Sequence, residues 1–211
     1  MKNILVLLIS CLIVSGSLWS QEITDLEFVS PFHEGFAAVK KGGQWGFIDA
    51  NGTLVVDFRS DLVMPSEMEA PCCLEDRDID YPIFKSQRCL IKIMKDGITH
   101  FGFIDPKGNT VIKPEYLNAS QFHGNHAIVV KVYKESLGRN EILGKNVIAY
   151  RYNEEVIDVA GTPKFHLRGP FNLIYSKEEL RKPPQLLSRF LSSEVVAITT
   201  PKDLWKIKVL Q

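Results

Sequence analysis

Trp45-Gly46-Phe47-Ile48-Asp49-Ala50-Asn51-Gly52 and Phe101-Gly102-Phe103-Ile104-Asp105-Pro106-Lys107-Gly108 repeat one phrase: an aromatic residue, Gly-Phe-Ile-Asp, and a turn closed by glycine. Alternating side chains followed by Asp and Gly at turn spacing describe a strand that ends in a tight turn, and the recurrence points to duplication of one β-hairpin unit. Along the first copy, Trp45 and Phe47 fall on one face and Gly46 and Ile48 on the other. Glycine in mid-strand has poor strand propensity, so its place here predicts that neighbouring chain approaches it closely. Asp49 and Asp105 are read as turn formers, not as catalytic carboxylates.

Working outward, unit one is a three-stranded meander over residues 36–40, 44–48 and 53–56, and unit two repeats it over 90–94, 100–104 and 110–112. A third, eroded unit opens at Gln121-Phe122-His123-Gly124-Asn125-His126-Ala127, parallel to Pro31-Phe32-His33-Glu34-Gly35-Phe36-Ala37, but it lacks the aromatic-Gly signature. Strand-like runs at 147–152 and 156–159, around Asn153-Glu154-Glu155, hold its place. The expected organisation is a signal peptide over 1–20, a repeat region over 22–165 and a C-terminal cap over 166–211. Within the repeat region, unit one covers 26–58, an insert 59–87, unit two 88–120 and the third unit 121–165.

Residues 34–56, from Glu34-Gly35-Phe36-Ala37-Ala38-Val39 through the Trp45 motif to Gly52-Thr53-Leu54-Val55-Val56, resemble the WG-repeat family. The second unit replaces the motif tryptophan by Phe101 and adds Val111-Ile112-Lys113-Pro114-Glu115-Tyr116, which is similar to the family's usual repeat ending. The resemblance implies tandem β-hairpin units in an exported bacterial protein that acts in binding, and it supplies no catalytic residues.

The cap is expected to be α/β. Ser176 and Glu179 have capping-box spacing, which predicts a helix from Lys177. After Pro183-Pro184, the spacing of Leu186, Leu187, Phe190 and Leu191 predicts a second helix, followed by strands over 195–198 and 204–209. In the last strand Trp205, Ile207 and Val209 share one face and Lys206 and Lys208 the other, the pattern of a half-buried or lysine-protected edge strand. The fold class is therefore mainly β, a row of tandem antiparallel meanders with a small α/β cap.

The N-terminus carries Lys2, an apolar run from Ile4 to Val14 and small residues before Glu22, the layout of a secretory signal cut after Ser20 or Ser17. The expected location is periplasmic or extracellular. An alternative is an outer-membrane lipoprotein through Cys11, although the apolar run continues past that cysteine. The 25 basic and 25 acidic residues balance, and no run of lysine and arginine exceeds two, so a nucleic-acid partner is not expected.

Cys89 could bridge Cys72 or Cys73, closing a loop of about 17 residues for a stabilisation of about 3 kcal/mol; three unpaired cysteines are the alternative. Asp76, Asp78 and Asp80 alternate like calcium ligands, but Tyr81 and Gln87 stand where glycine and a closing glutamate are needed. His123 and His126 are a close pair without an accompanying cysteine or acid, so no metal and no cofactor is expected.

The function expected is a non-catalytic binding or scaffold module of the bacterial envelope, with a protein or glycan partner. Trp45, Phe47, Phe101 and Phe103 would be its platform if exposed and its core if stacked between units. The rivals are an exported hydrolase using insert carboxylates with His100 or His123, and an envelope structural subunit.

Overall fold

The computed structural model describes residues 22–68, 78–202 and 204–210. The expected signal segment, Cys11, Cys72, Cys73 and Asp76 lie outside them. The described chain forms four antiparallel sheets, each built from strands consecutive in sequence. The first holds β1 (Phe28–His33), β2 (Phe36–Lys41), β3 (Gln44–Asp49) and β4 (Leu54–Arg59). The second holds β5 (Cys89–Lys95), β6 (Ile98–Ile104) and β7 (Thr110–Tyr116). The third holds β8 (Asn118–Ala119), β9 (His126–Asn140), β10 (Lys145–Asp158) and β11 (Pro163–Leu173), and the fourth β12 (Ser188–Ser192), β13 (Val195–Thr199) and β14 (Trp205–Val209).

Turn chemistry fixes these meanders. Asp49 Oδ1 accepts from the Asn51 and Thr53 amides at 2.9 Å, while the Gly52 amide donates to the Asp49 carbonyl at 3.0 Å. Asp105 accepts in the same way from the Lys107 and Asn109 amides. Asp158 does so from Ala160 and Thr162, with Gly161 closing the turn at 2.9 Å. Gly52, Gly108 and Gly161 all have φ near +80° (78°, 80° and 81°), which a side chain would strain.

The third unit is therefore complete. Counting back from Asp158, Val156 stands at the place of Phe47, and Glu154-Glu155 occupy the place of Trp45-Gly46. Asn153-Glu154-Glu155 lies inside continuous strand β10, where the expectation of two shorter runs gave no continuous strand, because the two carboxylates are buried and bonded instead of facing water.

The sheets share three apolar cores. Ala38, Phe47 and Val56 of the first sheet meet Phe84, just ahead of β5, and Cys89, Ile91 and Ile104 of the second sheet. Leu90, Phe103 and Ile112 meet Phe122, Ala127, Val129 and Ile157 of the third. Ile128, Val130 and Val156 then meet Phe190, Val196 and Ile198 of the fourth. Successive side chains of β5 and β9 thus serve different cores, which explains their unbroken apolar runs.

The same aromatic contact recurs at the first two boundaries, Phe47 on Phe84 at 4.5 Å and Phe103 on Phe122 at 4.8 Å. The entry turns of successive units also link up. The Glu34 carboxylate accepts from the Ser86 and Gln87 amides, and the Ser86 hydroxyl donates to the Gly124 carbonyl.

The glycine expectation has a direct explanation. A Cβ on Gly46 would lie 2.8 Å from the Val56 carbonyl oxygen, and one on Gly102 only 2.5 Å from that of Ile112. The third strand of each meander bulges over these positions. Glu155 takes the same place in unit three because β11 slips register beside β10 and pairs it with His166.

The α/β cap does not exist. Among the described residues there is no α-helix, only two three-residue 3-10 turns, Pro65–Glu67 and Glu179–Arg181. Ser176 does accept from the Glu179 amide, but at 3.3 Å, and the turn ends at once before Pro183-Pro184. Beyond it Leu186, Ser188 and Phe190 are buried while Leu187, Arg189 and Leu191 are exposed, a period of two. Those leucines and the phenylalanine fit either period, and packing of Leu186 and Phe190 against Ile128 and Val156 selects the strand, in which Ser188-Arg189-Phe190 repeats Ser30-Pro31-Phe32 and Ser120-Gln121-Phe122. The tail is a fourth unit. β13 pairs with β14 in the register of β2 with β3, with Ala197 opposite Ile207 as Ala38 is opposite Phe47, and Thr199 opposite Trp205 as Lys40 is opposite Trp45.

Candidate functional site

Accessible aromatic and polar groups gather where the second and third sheets meet. Register sets Tyr150 of β10 directly across from Lys134 of β9, and β11 carries the chain past Leu173, which pairs with Tyr150, to Tyr175. The rings of Tyr150 and Tyr175 stack at 4.9 Å with an interplanar angle of 19°. The Lys134 ammonium sits 5.7 Å from the Tyr150 ring centre, a cation–π contact.

His100, buried on β6, fixes the other side of the pair. Its Nδ1 lies 3.0 Å from the Ile98 carbonyl oxygen, which can only accept, so Nδ1 carries the proton. Nε2 is then free to accept from the Tyr175 hydroxyl at 3.2 Å. Burial, followed by the proximity of Tyr150 and Asp96, pushes the Tyr175 phenol above its ordinary range, which keeps it a donor.

These groups floor an open cleft of about 590 Å³ whose rim carries Lys95, Asp96 and Glu115. An aromatic floor with hydrogen-bonding groups of both signs suits a polar ligand with flat apolar faces. Tyr150, Tyr175 and Lys134 escaped sequence reasoning because no local motif marks them. Tyr175 is 75 residues from His100.

The four motif aromatics are divided between two cores. Phe47 and Phe103 are enclosed, at 1% and 0% exposure, in the first and second boundaries. Trp45 and Phe101 are half-buried at the margins of those cores. Trp45 meets Phe28 edge-on at 5.7 Å with Lys40 over its ring, and Phe101 lines a smaller cleft of about 180 Å³ beside Met68 and the Lys92–Glu67 ion pair.

Of the cysteines, Cys89 is free and fully buried, and burial pushes its thiol up. Asp78 and Asp80 are described, and among the described residues no group of three or more His, Cys, Asp or Glu side chains is placed to hold a metal. His123 stacks on Phe190 at 5.6 Å, and the His123 and His126 backbones bridge each other across the entry turn.

The buried acids at the Trp-Gly place of unit three are structural. Glu154 accepts from the Leu187 amide at 2.8 Å, the Ser188 hydroxyl at 2.5 Å and Arg168 at 3.3 Å, and so ties the fourth unit to the third. Glu155 accepts from the Tyr133 hydroxyl at 2.6 Å and from Asn153 at 3.0 Å. The signal that could have exposed them is Ile157-Asp158-x-x-Gly161-Thr162, which matches Ile48-Asp49-x-x-Gly52-Thr53.

Among the described residues no helix is long and apolar enough to cross a membrane. No curated protein and no solved structure matches the chain. The family model described as the WG containing repeat matches residues 25–45, 45–67 and 101–134, less than half of the chain.

Proposed function

We propose that this protein is a non-catalytic binding module of the bacterial envelope, exported by its N-terminal segment, and that it takes a glycan in the cleft over Tyr150 and Tyr175. The observation that carries this reading is the stacked tyrosine pair. It is held in place by His100 and Lys134 and opens onto a rim of lysine and carboxylate groups. Aromatic faces receive the apolar faces of sugar rings, while mixed charges serve hydroxyls. Both ring nitrogens of His100 are engaged in holding Tyr175 and the backbone, which leaves it a positioning part and not a proton shuttle.

The test is calorimetric titration with oligosaccharides released from the envelope, alongside an assay for new reducing ends. The expected result is saturable binding, lowered at least about tenfold by Tyr150→Ala, with no turnover. Binding unaffected by Tyr150→Ala and Tyr175→Ala, binding of envelope peptides alone, or release of reducing ends would each overturn the proposal.

A further inference from the structure

The fourth unit departs from the other three at one edge. In units one to three the strand that carries the motif, β3, β6 or β10, is paired on both sides, its outer neighbour being β4, β7 or β11. Its counterpart β14 is paired only with β13, and among the described residues no strand lies along its other edge.

The face that elsewhere receives the next sheet is open as well. Ile207 stands where Phe47 and Phe103 stand, yet it is 59% exposed, and Trp205 and Val209 beside it are 53% and 51% exposed. The opposite face of β14 is basic. Lys206 lines a cleft of about 350 Å³ against β11, and Lys208 lies over the Phe165 ring at 5.3 Å with its ammonium donating to the His166 carbonyl.

We infer that β14 is a docking edge for an extended segment of another polypeptide whose side chains alternate apolar and acidic. Pairing along β14 would satisfy its free backbone groups, continue the apolar stripe of Trp205, Ile207 and Val209, and set carboxylates beside Lys206 and Lys208. The array itself shows that the geometry is attainable. Lys206 occupies the place of Gly46, where β4 passes too close for a side chain, but Glu155 occupies that place in unit three and pairs with β11 in a slipped register. The incoming strand pairs with β14 in the manner of β11. Self-pairing of β14 is disfavoured, because an antiparallel copy centred on Ile207 places Lys206 across from Lys208 of the other chain. This site is separate from the tyrosine cleft.

The test uses the protein with two eight-residue peptides, alternating valine with glutamate or valine with lysine, and follows Trp205 fluorescence and amide exchange in β14. The valine–glutamate peptide is expected to bind and protect β14. Ile207→Glu should abolish the effect, and Lys206→Glu with Lys208→Glu should reverse the preference toward valine–lysine. Circular dichroism confirms that these variants fold. The inference is overturned if neither peptide protects β14, if preference does not follow the charge reversal, or if light scattering shows a dimer that Ile207→Glu dissociates in the absence of peptide.

Discussion

Replacing Glu154 by alanine tests how the last unit is held. The carboxylate is 1% exposed and accepts three bonds, from Arg168, whose side chain is 13% exposed, and from the Leu187 amide and Ser188 hydroxyl. Removing it leaves a guanidinium largely out of water without its counter-charge and two further donors unsatisfied. Breaking a buried ion pair from one side destabilises by about 3–5 kcal/mol, and bonds to a charged group are worth about 1.5–3 kcal/mol each, though not additively. The Arg168 contact is long at 3.3 Å, so about 3 kcal/mol is expected, equivalent to a drop of about 6–12 °C in the midpoint. Glu154→Gln keeps an acceptor for Leu187 and should lose about half as much. The location of the loss is more diagnostic than its size. Contacts in a repeat array run between neighbours, so amide exchange should accelerate in residues 188–209 and stay unchanged in 28–59. A loss under about 1 kcal/mol, or one spread evenly over all four sheets, would refute the assignment of Glu154 as the clasp between units three and four.

Gly102→Ala should destabilise by at least about 2 kcal/mol in chemical denaturation, since its Cβ would fall within 3 Å of three backbone atoms of β7. Gly35→Ala, with φ of +86° but open space around it, should lose about 1 kcal/mol, and equal effects at the two sites would remove the close-approach argument. The three turn aspartates make stability acid-sensitive. At Asp49 the Thr53 amide leads in holding the carboxyl below its ordinary value of 3.8; at Asp105 and Asp158 partial burial pushes upward, but the turn amides, joined by the Asn109 side chain at the first and the Lys164 ammonium at the second, outweigh it. Because the folded values are depressed, the contribution is fully present above the ordinary value and is lost as pH falls through the folded one. Asp49→Asn, Asp105→Asn and Asp158→Asn together should flatten the fall in unfolding free energy as pH drops below the ordinary carboxyl value of 3.8, and an unchanged slope would count against the turn carboxylates as its source.

The repeat was legible wherever local chemistry decides structure. The Asp-x-x-Gly turns, the mid-strand glycines and the alternation of Trp45 and Phe47 are properties of a few consecutive residues, and each has its expected geometry. Unit three is only half legible because it has lost the aromatic-Gly pair, the most conspicuous mark of the repeat, and keeps only the turn of Asp158 and Gly161. The tail is ambiguous in sequence because Leu186, Leu187, Phe190 and Leu191 satisfy both the helical and the strand period, and only packing against Val156 and Ile128 selects between them. The tyrosine cleft was not legible at all. It assembles from strands of two sheets and from the chain beyond β11, and nothing in the neighbourhood of Tyr150 or Tyr175 foretells the other.

The double duty of β5 and β9 constrains how such a chain can change through evolution. Cys89 and Ile91 fill one core while Leu90 between them fills the next, and Ala127 and Val129 are divided in the same way from Ile128 and Val130. A single inserted or deleted residue in either strand would exchange the two sets and corrupt two cores at once, whereas a duplicated or excised block of one whole unit would preserve every boundary. Such a lineage is expected to lengthen and shorten in steps of a complete meander, with its small insertions confined to the β9–β10 hairpin tip, where Ile142 is 95% exposed, and to the segment between the first two units.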